Sequence, residues 1–455
     1  MNTPLPDSRP SPWASLTRSP FVRLGVVGFL VICLQIPVLF IYNLVTERNQ
    51  TRHQAVDDIT SKWGRGQEVY GPFLVIPYSF LAVEKDSETE KERFVEHTAV
   101  ATFLPEDLRI ASDLKTEVRH RGIFEAPVYS SSTKLEGRFL APDFSAWKVE
   151  PRRIDWERAQ LVFEVSDVHA IQNRTELNWA GEALSFEPGA GLFSAQLPGF
   201  HSQVVVTAES EELGFAVEFD LKGSFMLRFA PLAKNTEATL RADWADPSFQ
   251  GAYLPTTSEV RPDGFEAIWR IPHLGRNFPQ SWTRTSHADA IKASSFGFDL
   301  LTPVDAYRQT DRSLKYQLLF LGLTFLTIWL FEVLGGARLH PIQYLLIGSA
   351  MCIFYLLELS LSEQLGFPTA YSIAAALVVS LVFFYARSVL DSRNRAFSVT
   401  GVLAGLYGCL YVLLQIQDYA LLAGSIGMFA ILAVVMFATR KVDWYSTKLV
   451  STTGG

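Results

Sequence analysis

Cysteine is scarce in this chain: three in 455 residues, at Cys33, Cys352 and Cys409. All three fall inside long apolar runs, so the stretch between those runs has no cysteine. Disulfide staples are therefore excluded there, and the stretch is long enough to bury a sufficient core without them. Charge is also sparse, at 19% of residues, against 48% hydrophobic residues and a mean hydropathy of +0.15. With a formal net charge of -7 and no basic stripe, nucleic acid is not an expected partner. Catalytic signatures are missing too. The chain has no H-E-x-x-H, no G-x-x-x-x-G-K-[ST], no G-x-S-x-G and no Cys/His cluster at metal-ligand spacing. The eight histidines are scattered. An enzyme built on those motifs is not expected, and no cofactor or metal is implied.

The apolar content is concentrated in one N-terminal run and a dense block after residue 315. Leu24 to Leu44 is uncharged over about 21 residues, enough to cross roughly 30 Å of hydrocarbon as a helix. Gln35 and Pro37 interrupt it and predict a kink. Its end, Asn43-Leu44-Val45-Thr46-Glu47, has no small-residue cleavage pattern, so the run reads as a retained signal anchor. The later block predicts five more spans, near Tyr316–Leu334, Ile342–Leu361, Phe367–Ala386, Phe397–Leu414 and Tyr419–Ala438. Tyr316, Tyr371, Tyr385 and Tyr419 stand near span ends, as expected at the headgroup level.

Basic residues set the direction. Arg18 and Arg23, Arg338, the group Arg387, Arg393 and Arg395, and the group Arg440, Lys441 and Lys448 all fall on one face if there are six spans. The alternate loops Ser362–Thr369 and Gln415–Asp418 carry no Lys or Arg. Both termini are therefore expected in the cytoplasm and residues 46–312 outside. Arg308, Arg312 and Lys315 oppose this assignment, but long translocated domains are largely exempt from the rule.

The outer stretch has a period of two. Phe215, Val217, Phe219 and Leu221 alternate with Ala216, Glu218, Asp220 and Lys222; Leu161, Phe163 and Val165 alternate again, and Leu114, Thr116 and Val118 oppose Lys115, Glu117 and Arg119. Phe225, Leu227 and Phe229 resume the pattern after Gly223, which predicts a hairpin turn at Lys222–Ser224. Phe73 to Tyr78 is a continuous apolar run suited to a buried strand. The expected fold is an α+β membrane protein: six transmembrane helices, one N-terminal and five C-terminal, with a large, mainly antiparallel β-rich outer domain. The expected boundaries are a tail at 1–20, a transmembrane helix at 21–45, the β-rich domain at 46–312, a five-helix bundle at 313–440 and a second tail at 441–455. Thr46–Lys62 is polar and unbroken by Gly or Pro, and predicts an extension of the first helix.

Several segments together resemble one family. They include Trp63-Gly64-Arg65-Gly66-Gln67 followed by Gly71-Pro72-Phe73-Leu74-Val75-Ile76-Pro77-Tyr78, then Arg119-His120-Arg121-Gly122-Ile123 and Val165-Ser166-Asp167. Trp244 with Pro247-Ser248-Phe249 continues the series. The most specific part runs from Thr302-Pro303-Val304-Asp305-Ala306-Tyr307 through His340-Pro341-Ile342-Gln343-Tyr344 to Leu359-Ser360-Leu361-Ser362-Glu363. In these the chain resembles the CreD family of bacterial inner-membrane proteins, also called colicin tolerance proteins, over nearly its whole length. The resemblance implies a multi-pass inner-membrane protein with its large domain in the periplasm. It also implies a link to the CreBC two-component system, to envelope integrity, and to tolerance of colicins and β-lactams. It carries no site residue.

The residues themselves offer candidates. Glu332 and Glu358 interrupt apolar spans, where a carboxylate is costly enough to need a reason. They suit proton or ion handling or a contact between helices; the plainer reading is local pairing near an interface. Antiparallel neighbours would put them at opposite depths. His340, before Pro341, could sense pH or cap the next helix. Trp63, Gln67 and Tyr78 could form a binding element at the base of the outer domain, or fill core and turns. Gly401 and Gly405, and Ala420 with Gly424, have close-packing spacing, read as packing within the chain. Asn49-Gln50-Thr51 and Asn173-Arg174-Thr175 are sequons without meaning in a bacterial protein. The leading expectation is an envelope stress protein whose periplasmic domain binds an envelope component or another membrane protein. A transporter or channel built on the bundle is the alternative, and an envelope enzyme with converging carboxylates comes third. Oligomeric state is open, and the lipid bilayer is an expected partner.

Overall fold

The computed structural model describes residues 20–85, 92–147, 153–193, 198–283, 285–301, 306–335, 339–389, 393–416 and 420–440. Of the two expected tails, 1–19 and 441–455 lie outside the described residues, as do the segment 302–305 and Arg338, while Pro20 already opens the first helix. The chain divides into two compact units: Met1–Thr51 with Val304–Gly455, and Arg52–Pro303.

The first unit is helical. Helices α1 (Pro20–Cys33) and α2 (Gln35–Trp63) follow each other with a break at Leu34. The break follows from Pro37, whose ring displaces the carbonyl four residues back, at Cys33. Gln35 supports it by donating to the Val31 carbonyl at 3.0 Å. As the sequence predicts, the polar stretch after Val45 stays helical, and α2 ends only at Trp63.

Helices α4 (Ala306–Lys315), α5 (Gln317–Gly335), α6 (Pro341–Leu365), α7 (Phe367–Val389), α8 (Arg393–Gln415) and α9 (Ala420–Thr439) complete the unit; α3 (Ala288–Ala293) belongs to the other one. Among the described residues, four segments are long and apolar enough to cross a membrane: Val22–Trp63, Pro341–Leu365, Phe367–Val389 and Arg393–Gln415. A fifth is a bent pair, Ala306–Lys315 with Gln317–Leu330, at 46°. The sequence leads one to expect a single span beginning near Tyr316. The added helix α4 was hidden by composition, because it buries a polar face of Gln309, Thr310 and Ser313 where a hydrophobic stripe would be looked for.

The second unit is β-rich. Strands β1 (Gln67–Lys85), β2 (Glu92–Phe103), β3 (Asp107–Arg121) and β4 (Phe124–Leu140) are long. Strands β5 (Gln160–Val165), β6 (Ile171–Trp179), β7 (Glu182–Leu184), β8 (Glu187–Pro188) and β9 (Gly199–Gln203) follow. Then come β10 (Glu212–Ser224), β11 (Met226–Phe229), β12 (Asn235–Ala242) and β13 (Pro247–Gly251). The last are β14 (Thr257–Arg261), β15 (Gly264–Pro272), β16 (Ser281–Thr283) and β17 (Phe296–Leu300). One sheet runs β13-β17-β11-β1-β5-β9-β8, with β2 on β1 and β16 on β2; the other runs β14-β15-β12-β3-β4-β10-β6-β7. Pairing is mainly antiparallel, with β1–β11 and β3–β12 parallel.

The two sheets enclose one core that includes Leu74, Ile76, Leu108, Leu135, Val217 and Phe298. A second core covers the opposite face of the first sheet, with Tyr70, Phe73, Val75, Val162, Trp282 and Ile291. This explains the continuous apolar run in β1. Leu74 and Ile76 serve one core, Phe73 and Val75 the other, so no position is left for a polar residue. The hairpin expected at Lys222–Ser224 is not formed. β10 pairs with β4 through Ser224, whereas β11 belongs to the other sheet beside β1 and β17. Phe225, at a φ of 61°, redirects the chain from sheet to sheet.

Candidate functional site in the helical unit

Helix α4 carries Gln309, Thr310 and Ser313 on its buried side, and α6 presents Glu358. Glu358 is fully buried. Its Oε2 accepts a hydrogen bond from Ser313 Oγ at 3.0 Å. Its Oε1 has no hydrogen-bond partner among the described residues, nor has Gln309 Oε1. Tyr371 of α7 donates to the Tyr407 carbonyl of α8 at 2.6 Å. The Tyr407 hydroxyl is buried and unpartnered among the described residues. Phe354 packs these rings, 5.3 Å from Tyr371 and 4.4 Å from Tyr407. Tyr355, Tyr371 and Tyr407 all stand within electrostatic reach of Glu358. Arg312, on α4, donates to the Leu413 and Leu414 carbonyls at 3.2 Å each and so caps the end of α8. Four helices thus surround a carboxylate whose direct partner is a neutral hydroxyl.

Glu332 sits differently. It is 7% exposed, forms an ion pair with Arg23 of α1, and accepts from the Tyr344 hydroxyl at 3.1 Å. Glu332 and Glu358 share no partner in these contacts. A third carboxylate, Glu363, receives both nitrogens of Arg48, Nε at 2.9 Å and Nη2 at 2.7 Å, and the Tyr307 hydroxyl at 2.7 Å. Sequence reasoning missed this triad, because Arg48 lies 315 residues away in the first helical run. His340 is the N-cap of α6. Its Nδ1 accepts from Ile342 N at 3.3 Å and its own N–H donates to Gln343 Oε1 at 2.9 Å, a reciprocal box ahead of Pro341. The spacing Gly401/Gly405 leads one to expect packing within the chain; a Cβ at either position, or at Gly424, would meet nothing within 4 Å.

In the β-rich unit, Trp63, Gln67 and Tyr78 do not converge. Trp63 donates to the Tyr129 carbonyl at 3.1 Å and lies between Arg119, 3.8 Å from the ring centroid, and Lys222, at 4.2 Å. Gln67 is fully buried and donates to the Lys222 carbonyl at 3.0 Å. Asp167 accepts from Arg65 N at 3.0 Å, and Ser166 Oγ from Glu68 N at 2.9 Å. The two segments Trp63–Gln67 and Val165–Asp167 therefore clamp each other. Tyr78 is a core residue, 5.9 Å from the Phe144 ring. The sequon at Asn173 falls on side chains outside the described residues.

Two further features were not anticipated. Glu164 on β5 is buried with an Oε1 that has no hydrogen-bond partner among the described residues, and that burial pushes its carboxyl up to about 7 against the pull of Lys292. A concavity of about 830 Å³ on the eight-stranded sheet is lined by Asp107, Arg109, Glu136, Arg138, Glu237 and Arg270. Its charges answer one another, Arg138 with Asp107 at 2.6 Å and Arg270 with Glu237 at 3.2 Å. It reads as a solvated face. Among the described residues, no group of three His, Cys, Asp or Glu is placed to hold a metal.

Apolar helices of membrane-spanning length, polar groups buried among them and a large two-sheet unit define an integral membrane protein of mixed α+β build. A family model described as "Inner membrane protein CreD" matches residues 19–445, and the chain belongs to this CreD family of inner membrane proteins. The inner membrane protein CreD of Escherichia coli (strain K12) is 32% identical over 440 residues, 95% of this chain and 96% of that relative. Among solved structures, yeast LTA4 hydrolase in complex with bestatin aligns over 74% of this chain and 67% of its own, at 9% identity and a TM-score of 0.21. A likeness that low carries no argument about fold or activity.

Proposed function

We propose that this is a six-span inner-membrane protein with both termini in the cytoplasm, whose β-rich unit stands in the periplasm and binds an extended segment of an envelope protein. In this reading it serves envelope integrity under stress, in connection with the CreBC system. Basic residues at helix ends support the topology: Arg23 in the first turn of α1, Arg387 in the last turn of α7, Arg393 and Arg395 in the first turn of α8, and Arg440 after α9. To the four long apolar helices this reading adds the bent pair α4–α5 as a fifth span and the apolar 20-residue helix α9 as a sixth.

The observation that carries the binding role is the ribbon of β1 and β2. β16 covers β2 only at Ala101–Phe103, so among the described residues the rest of that edge is open. One face of the ribbon presents Leu81, Val83 and Phe94, exposed by 51%, 52% and 69%, with Val83 directly opposite Phe94. Open edges flanked by apolar side chains invite strand addition, and proteins usually blunt them with charge or cover. An extended partner segment would complete the sheet and cover that stripe.

The test places V83D/F94D in the chromosomal copy of the gene. Cells carrying it at normal protein level should match a full deletion in sensitivity to β-lactams and colicins. A photo-crosslinker at Phe94 in intact cells should yield one discrete adduct, lost in the presence of V83D. Wild-type sensitivity with V83D/F94D would overturn the proposal.

A further inference from the structure

The interior formed by α4, α6, α7 and α8 contains a charge problem that its own residues do not solve. A carboxylate withdrawn from water needs a counter-charge or must be neutralised. Glu332 and Glu363 obey this rule, through Arg23 and Arg48. Glu358 is the most deeply buried of the three, at 0% exposure, and differs from them. The groups facing it are Ser313 from α4, Tyr355 on its own helix, Tyr371 from α7 and Tyr407 from α8. None of them is a cation, and Arg312, the residue before Ser313 on α4, is engaged with the terminal carbonyls of α8.

Both Glu358 Oε1 and the Tyr407 hydroxyl are buried and have no partner among the described residues. A hydrogen on Oε1 removes the charge and supplies a donor where the described residues supply none. A metal cation would need several converging oxygens; the free oxygens here are few. The surroundings fit a polar site at membrane depth. Irregular backbone is tolerated there only where protein or water buries it, and the 46° bend between α4 and α5 falls three residues after Ser313.

We propose that Glu358 is a proton-binding site of the helical unit, held as a neutral carboxyl that accepts from Ser313 through one oxygen and carries an exchangeable hydrogen on the other. This inference is independent of the partner-binding role of the β-rich unit. It assigns one titratable site to the membrane part of the protein.

Infrared difference spectroscopy on the full-length protein in lipid vesicles tests it. At neutral pH, with every protein tested carrying E164Q to remove the partly protonated Glu164 carboxyl, the otherwise wild-type chain should show a protonated-carboxyl C=O band amounting to one group, shifting in D₂O as the hydrogen exchanges. E358Q should lose that band completely and E332Q should keep it. E358D, which retains a carboxyl, should move the band rather than abolish it, and stands in if E358Q fails to fold. Adding sodium at fixed pH should leave the band unchanged. Absence of the band from the otherwise wild-type chain, its survival in E358Q, or its disappearance on adding sodium would each overturn the assignment.

Discussion

The pair Arg23–Glu332 joins α1 to α5 across 309 residues of sequence, and its value can be worked from its surroundings. The Glu332 side chain is 5% exposed and that of Arg23 31%. Replacing Arg23 with Met keeps the apolar stem and removes the charge, leaving Glu332 buried with only the Tyr344 hydroxyl at 3.1 Å. Breaking a buried pair in this way costs about 3–5 kcal/mol in soluble proteins, and an unpaired carboxylate at membrane depth about 2.5–3.5 kcal/mol. Because Arg23 is nearly one-third exposed and Tyr344 remains, the lower end applies, about 2–3 kcal/mol. The double variant R23M/E332L removes the orphaned charge as well. It should recover to within about 1 kcal/mol of the wild type, since well-packed apolar replacements of buried pairs are often neutral. Reversible unfolding in mixed micelles, followed by tryptophan fluorescence, gives the four corners of the cycle. The cycle also subtracts whatever else Arg23 contributes. The reasoning is refuted if R23M alone matches the wild type, or if the double variant is as unstable as the two single losses added together.

Further tests address the β-rich unit. Gly64 has a φ of 149°, and a Cβ there would lie 2.8 Å from the Lys222 carbonyl oxygen and 2.9 Å from Ala170 Cβ. G64A should therefore cost about 1–3 kcal/mol, read as a lower melting temperature, because backbone cannot step aside as a flexible side chain can. Glu164 gives a pH dependence of definite sign. Its folded carboxyl, at about 7, lies above its ordinary value of 4.5, so the folded state holds a proton that the unfolded state has released. Stability from this group is present below about 4.5 and is lost as pH rises through 7, to a total of about 3 kcal/mol. Melts between pH 4.5 and 8 should show that decline in the wild type. E164Q, neutral throughout, should flatten it and be the more stable protein at pH 8. An unchanged slope in E164Q would contradict the burial argument.

How much of this the sequence discloses depends on whether the deciding contact is local. The alternation in β10 and the doubly buried run in β1 are set within a few residues, and both were legible from periodicity. So was the role of His340 as a cap, which needs only Pro341, Ile342 and Gln343. The period of two has no memory of which sheet a strand joins. The pattern through Phe219, Leu221, Leu227 and Phe229 therefore looks like a hairpin, although Phe225 carries the chain into the other sheet. Helix α4 escaped notice because Gln309, Thr310 and Ser313 violate the expectation that a buried helix face is apolar. That violation is the physical link to the site, since the polar face exists where Ser313 meets Glu358. The sequence marks Glu332 and Glu358 alike as charges in apolar runs. Only the fold separates them, by bringing an arginine to one and a serine to the other.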